Sequence, residues 1–179
     1  LSGRAIIPEP FDGRLLGREF RRVRPPIDEF MLFGGMMVGK IDIARLLGRY
    51  RSLGNFAHSI GLLLRYFGDR LRFSRGTRLV MGNALVARLF HSLRKNGVPI
   101  LFGAALRDLV AEDGRITGAV IETGDGVINV RARNGVVLST GGFAHNERYR
   151  SAFMPDPTPA RSMAVAENTG DLSLIHISE

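Results

Sequence analysis

The chain has 179 residues, 45% of them hydrophobic, and a mean hydropathy near zero, which fits one globular domain with a sizeable core. It contains no Cys, which excludes disulfides, thiolate catalysis and cysteine-ligated metals; its four His (His58, His91, His145 and His176) lack metal-ligand spacing, so no metal site is expected. The net charge of +8 is uneven, with 14 basic and 7 acidic side chains in residues 1–75, but the arginines are scattered at helical spacing among apolar residues, the pattern of a solvated face rather than a nucleic-acid patch.

No apolar run approaches the ~20 residues of a membrane span, and the opening LSGRAIIPEP has no signal-peptide pattern. A cytoplasmic protein without a membrane span is expected.

Residues 1–35 read as irregular, punctuated by PEP at 8–10, FDG at 11–13 and PP at 25–26. Asp42 is placed to cap a short helix from Ile41 to about Tyr50. Phe56, Ile60, Leu63, Leu64 and Phe67 form the apolar stripe of an amphipathic helix over 55–73, which Ser74–Thr77 breaks. A second helix over Asn83–Asn96 carries Val86, Leu89, Phe90 and Leu93, and Gly97 stands where a helix end favours positive φ. Val98–Phe102 is a short buried strand by composition. Segments 106–111, 115–122 and 127–132, separated by EDG and TGDG, suit an antiparallel meander. Gly135–Ser139 (GVVLS) reads as a fully apolar strand that stops at Thr140-Gly141-Gly142.

Two local patterns carry chemistry. Gly34 to Lys40 (GGMMVGK) fits a phosphate loop except at its last position, where Ile41 replaces the Ser or Thr that would hold Mg²⁺. Met36 and Met37 would crowd such a loop, and a glycine-rich turn packed by two methionines is the better reading. GVVLSTGG is the stronger pattern, because a strand ending in two glycines lets backbone amides approach a ligand. His145 and Arg148 beside it read as exposed loop residues. No G-x-G-x-x-G occurs in the chain.

Together, GNALVARLF (82–90), VPILFGAALRDL with EDGRITGAVIE (98–122), GVVLSTGGFAHN (135–146) and SMAVAENTGD (162–171) resemble one family. It is the flavoprotein family of 3-ketosteroid Δ1-dehydrogenases, fumarate reductases and succinate dehydrogenase flavoprotein subunits. GRAIIPEPFDGRLLG, at residues 3–17, favours the ketosteroid branch.

The resemblance implies an α/β fold: part of a glutathione-reductase-type FAD-binding domain with a helix, parallel strands and a β-meander. The N-terminal βαβ unit and the cap domain would be missing, so an internal fragment is expected. Its implied organisation is an inserted irregular and helical segment over 1–75, the domain core over 76–150, and the start of a crossover to the cap over 151–171. Leu172–Glu179 (LSLIHISE) resembles the translation of a transposon end used in sequencing libraries and is expected to be non-native.

Carried over residue by residue, Ala105 would meet the adenine through its backbone. Thr140, Gly141, Gly142 and Asn146 would form a flavin-side loop, and Asn168, Thr169, Gly170 and Asp171 a second cofactor-facing loop. The implied chemistry is transfer of a hydride to flavin N5 from a steroid-like ketone, with an external electron acceptor. No catalytic residue is assigned, and Tyr50, Tyr66 and Tyr149 are given structural roles. The alternative within the family is a fumarate-reductase-like enzyme acting on a dicarboxylate; a basic nucleic-acid-binding module is the reading from a different class.

Overall fold

The computed structural model describes residues 7–157, 162 and 164–170; Asp171 and the tail over 172–179 lie outside the described residues. The chain divides into two units, Leu1–Ile100 and Leu101–Glu179.

In the first unit, β1 (Phe11–Asp12) pairs antiparallel with β4 (Arg78–Leu79), residues far apart in sequence. Between them the chain runs through a 3₁₀ segment, Gly13–Arg22, begun by the Asp12 carboxylate accepting from the Arg14 amide and kinked at Gly17 (φ 56°, ψ −128°). A two-residue hairpin follows, β2 (Met31–Leu32) against β3 (Met36–Met37). Helix α1 (Lys40–Leu47), helix α2 (Leu53–Arg70) and helix α3 (Met81–Lys95) complete the unit. Ser52 starts α2 by accepting from the Asn55 amide at 3.1 Å. Gly97 takes the positive φ expected after α3.

The GGMMVGK stretch does not form a phosphate loop. Phe33 and Gly34 take positive φ to close the hairpin, and the two methionines turn into the protein, at 4% and 2% exposure. The Tyr66 hydroxyl donates to the Phe33 carbonyl at 2.7 Å, tying the hairpin to α2. Met37 joins Phe11, Leu16, Phe20, Leu79, Ala84 and Ala87 in one apolar cluster, and Met36 joins Val38, Leu62 and Tyr66 in another.

Leu63 and Phe90 of the two apolar stripes pack half-buried against these clusters, but the fully buried face of each long helix is a different one. Helix α2 buries Ser59, Leu62, Tyr66 and Asp69, whereas Phe56, Ile60, Leu64 and Phe67 are exposed. Helix α3 buries Ala84 and Ala87 and exposes Val86, Leu89 and Leu93. Small residues on α3 let Phe11 and Leu79 approach its backbone, so its large residues face outward.

Two buried carboxylates organise the polar interior. Asp69, 2% exposed, accepts from the Thr77 amide at 2.8 Å, the Thr77 hydroxyl at 2.7 Å and the Arg14 guanidinium at 2.5 Å. Asp42 accepts from the Gly39 amide at 2.8 Å, Arg78 at 2.8 Å and His58 at 3.0 Å. Asp42 thus caps α1 from inside its first turn. Burial works to raise both acids, but these donors outweigh it and hold each carboxyl below its ordinary pKa.

The second unit is built on the antiparallel meander β5 (Ala105–Glu112), β6 (Arg115–Thr123) and β7 (Gly126–Arg131). Asp113 and Gly114 both take positive φ in the first hairpin, which is why EDG marked it so clearly. Gly118 is required by packing: a Cβ there would stand 2.5 Å from the Val130 carbonyl oxygen. Helix α4 (Glu147–Phe153) follows the meander.

The mixture of helices and strands is as expected; the parallel strands are not. Every strand pairing among the described residues is antiparallel, and neither 98–102 nor 135–139 enters a ladder. A parallel strand gains its hydrogen bonds only from a neighbour reached by a crossover. Val137, inside the apolar GVVLS run, is 91% exposed. Among the described residues no helix is long and apolar enough to cross a membrane, and no group of acidic and His side chains is arranged to hold a metal.

Candidate functional site

Two glycine loops of the second unit meet around helix α4. Asn146 is the pivot. Its Oδ1 accepts from the Tyr149 amide at 3.1 Å and caps α4, while its Nδ2 donates to the Thr169 carbonyl at 2.7 Å. One side chain therefore starts a helix and clamps the second loop to it. The His145 amide donates to the Asn168 carbonyl at 2.9 Å. The His145 ring Nε2 lies 2.9 Å from the Ala164 carbonyl, which requires a proton on that nitrogen.

The glycines explain themselves at two positions. Gly141 has φ 86°, and a Cβ there would stand 2.5 Å from Asn168 Oδ1. Gly170 has φ 93°, and a Cβ there would meet Tyr149 Cδ2 at 2.8 Å and Phe143 Cβ at 3.0 Å. The loops are packed too closely for any side chain at either place. Phe143, Tyr149 and Phe153 form the aromatic support beneath them, with ring centroids 6.0–6.2 Å apart. The Tyr149–Phe153 spacing of four within a helix was the available sequence signal for this cluster.

Of the residues singled out in the sequence, the structure brings Thr140–Gly142, Asn146 and Asn168–Gly170 into one place. Asp171 lies outside the described residues. Ala105 opens β5 opposite Glu122, and no hydrogen bond among the described residues ties it to the two loops. Tyr149 is buried in the aromatic support and Tyr66 in the first unit, whereas Tyr50 is exposed beneath the Arg49 guanidinium.

The loop has donors to offer. Thr140, Gly141 and Gly142 are exposed, and their amides make no hydrogen bond among the described residues. A Cβ at Gly142 would meet nothing within 4 Å. Consecutive unpaired amides at a glycine turn suit an anionic or carbonyl-bearing ligand that approaches the backbone itself.

A family model described as "FAD binding domain" matches residues 2–178. The chain belongs to this FAD binding domain family.

The relatives of this FAD-binding domain narrow the picture. It is 36% identical to a 3-oxosteroid 1-dehydrogenase of Mycolicibacterium smegmatis over 95% of the chain and 30% of the relative. It is 32% identical to a 4-oxocyclohex-2-ene-1-carboxylate 5-dehydrogenase of Sinomonas cyclohexanicum, over 87% of the chain and 26% of the relative. Its structure is similar to a 3-ketosteroid Δ1-dehydrogenase from Sterolibacterium denitrificans, solved in complex with 1,4-androstadiene-3,17-dione. The TM-score is 0.79 at 32% identity, covering 97% of this chain and 32% of that one. The chain thus spans about 30% of the length of the curated relatives it matches. The cofactor of the family is FAD. The open amides of Thr140–Gly142 fit such a group, whose polar ring edges and pyrophosphate are hydrogen-bond acceptors.

Proposed function

We propose that this FAD-binding domain is part of an oxidoreductase that desaturates a cyclic ketone, most like a 3-ketosteroid Δ1-dehydrogenase. The observation that carries the reading is the similarity to a 3-oxosteroid 1-dehydrogenase along 95% of the chain. The second relative is also named for a ring ketone, which favours this branch over a fumarate-reductase-like enzyme acting on a dicarboxylate.

Bound FAD supplies a hydride acceptor at its N5. The chain's own contribution is to hold and orient that group. In this reading the amides of Thr140, Gly141 and Gly142 donate to its polar edge. Asn146 keeps the loops in register by capping α4 and gripping Thr169 at once. Asn168, Thr169 and Gly170 would form the second cofactor-facing loop, and the Ala105 backbone would face the adenine. Tyr66 and Tyr149 remain structural, and no residue of this chain is assigned as acid or base. Residues 1–75 are the inserted segment, 76–150 the domain core, and 151–171 the start of the crossover toward the substrate domain. An external electron acceptor, a cytoplasmic location and no nucleic-acid partner belong to the same reading.

The test is made on the longer protein containing this chain, supplied with a 4-ene-3-ketosteroid and an artificial electron acceptor. A product two hydrogens lighter by mass spectrometry is expected. Fumarate reduction or succinate oxidation in its place would overturn the proposal.

A further inference from the structure

The first unit carries an arginine groove that the cofactor reading does not use. It encloses about 440 Å³ and is lined by Gly17, Arg18 and Arg21 on one side and by Arg72, Phe73 and Ser74 on the other. We propose that it binds a small organic phosphate monoester.

Charge is the first argument. The acids of this region are already engaged: Glu19 pairs with Arg22 at 2.8 Å and Arg94 at 3.2 Å, and Asp69 is held by Arg14 and Thr77. Arg18, Arg21 and Arg72 are exposed and make no side-chain hydrogen bond or ion pair among the described residues. Three uncompensated guanidiniums around one groove repel one another and favour a multivalent anion. Their planar forks suit the paired oxygens of a phosphate.

A fourth cation stands behind the groove. Arg75 is 8% exposed, its guanidinium lies 4.5 Å from the centroid of the Phe20 ring, and Phe20 itself lines the groove. Its Nη2 donates to the Val23 carbonyl at 2.7 Å, but its buried Nη1 has no partner, and no carboxylate pairs with it among the described residues. A buried charge left unpaired is costly, and an anion bound nearby offsets part of that cost.

Shape is the second argument. Gly17 takes a backbone conformation open only to glycine, although a Cβ there would meet nothing within 4 Å. The glycine serves the kink that sets Arg18 and Arg21 along one groove rather than any close packing. Half-buried Phe73, packed edge-on against Phe20 at 5.6 Å, gives an apolar wall for the organic part of the ligand. The volume suits a small molecule.

The experiment titrates phenyl phosphate and inorganic phosphate into the 179-residue chain at low ionic strength, followed by NMR. Phenyl phosphate is expected to bind several-fold more tightly than inorganic phosphate. Arg21→Ala and Arg72→Ala should each weaken phenyl phosphate at least fivefold, with Arg72→Lys intermediate. Arg115→Ala, an exposed charge on the meander, should change nothing. Equal weakening by Arg115→Ala would show diffuse charge attraction and overturn the site. Unchanged affinity in both groove variants would overturn it too, as would an oligonucleotide that binds through the same arginines where phenyl phosphate does not.

Discussion

Adding one methyl group at Gly141 or at Gly142 separates what the loop needs to fold from what it needs to hold FAD. At Gly141 the backbone is left-handed (φ 86°), which costs an L-residue roughly 1–2 kcal/mol. The new Cβ would also stand 2.5 Å from Asn168 Oδ1 and 3.1 Å from its Cγ, so Asn168 has to move. Together these put Gly141→Ala at about 2–3 kcal/mol, a loss of roughly 30- to 150-fold in the population of the native loop pair. At Gly142 a Cβ would meet nothing and φ is not positive, so stability should change by no more than about 0.5 kcal/mol. Yet that methyl would sit beside the open amides that we propose for the cofactor. Thermal denaturation and flavin titration of the longer protein measure the two effects independently. Gly141→Ala should lower both stability and FAD affinity. Gly142→Ala should leave stability intact and weaken FAD about tenfold or more. A Gly142→Ala protein that takes up FAD like the parent would refute backbone contact at this loop, and an undiminished melting temperature in Gly141→Ala would refute the packing argument.

The buried carboxylates give the next expectations. Asp69→Ala leaves the fully buried Thr77 amide and hydroxyl without their acceptor, at a cost of roughly 2–4 kcal/mol, while half-exposed Arg14 recovers its solvation; urea denaturation that shows less than about 1 kcal/mol would contradict this. Because Asp42 and Asp69 are held below the ordinary carboxylate pKa, their stabilisation is complete above the unfolded value of about 3.9 and is lost as pH falls through the lower folded values. Thermal stability should therefore be level from about pH 5 to 7 and fall below about pH 4; a fall between pH 5 and 7 would mean that other groups dominate. On the exposed face of α2, Leu64→Lys with Phe67→Lys should preserve the circular dichroism of the isolated chain and reduce its binding of a hydrophobic dye; unfolding would show that these residues are core. The isolated chain should bind FAD weakly and turn over no ketosteroid, and turnover by it alone would show that the loops suffice.

What could be read from the sequence was mainly local. EDG and TGDG specify hairpins through residues that accept positive φ, so the meander was legible almost residue by residue. Gly97 ends its helix for the same reason. The helix faces were not legible, because periodicity says that a stripe is apolar without saying what covers it. Helix α3 packs through Ala84 and Ala87, and α2 through Leu62, Tyr66 and Asp69. The pairing of Phe11 with Leu79 and the Arg14–Asp69–Thr77 network join residues dozens of positions apart, which no local pattern announces. GVVLS was apolar enough to be a central strand, but strand pairing depends on a neighbour, and no described strand pairs with it. At the candidate site, the glycines of TGG and NTG were visible as permissive positions. That Asn146 joins the two loops, and that Phe143, Tyr149 and Phe153 support them, appears only in three dimensions.

The most direct test of the account is the flavin spectrum of the longer protein under anaerobic conditions. It should purify with bound FAD, and adding a 4-ene-3-ketosteroid should bleach the oxidised flavin absorbance while succinate leaves it unchanged. Protein that carries no flavin, or flavin that succinate bleaches and the ketosteroid does not, would contradict it.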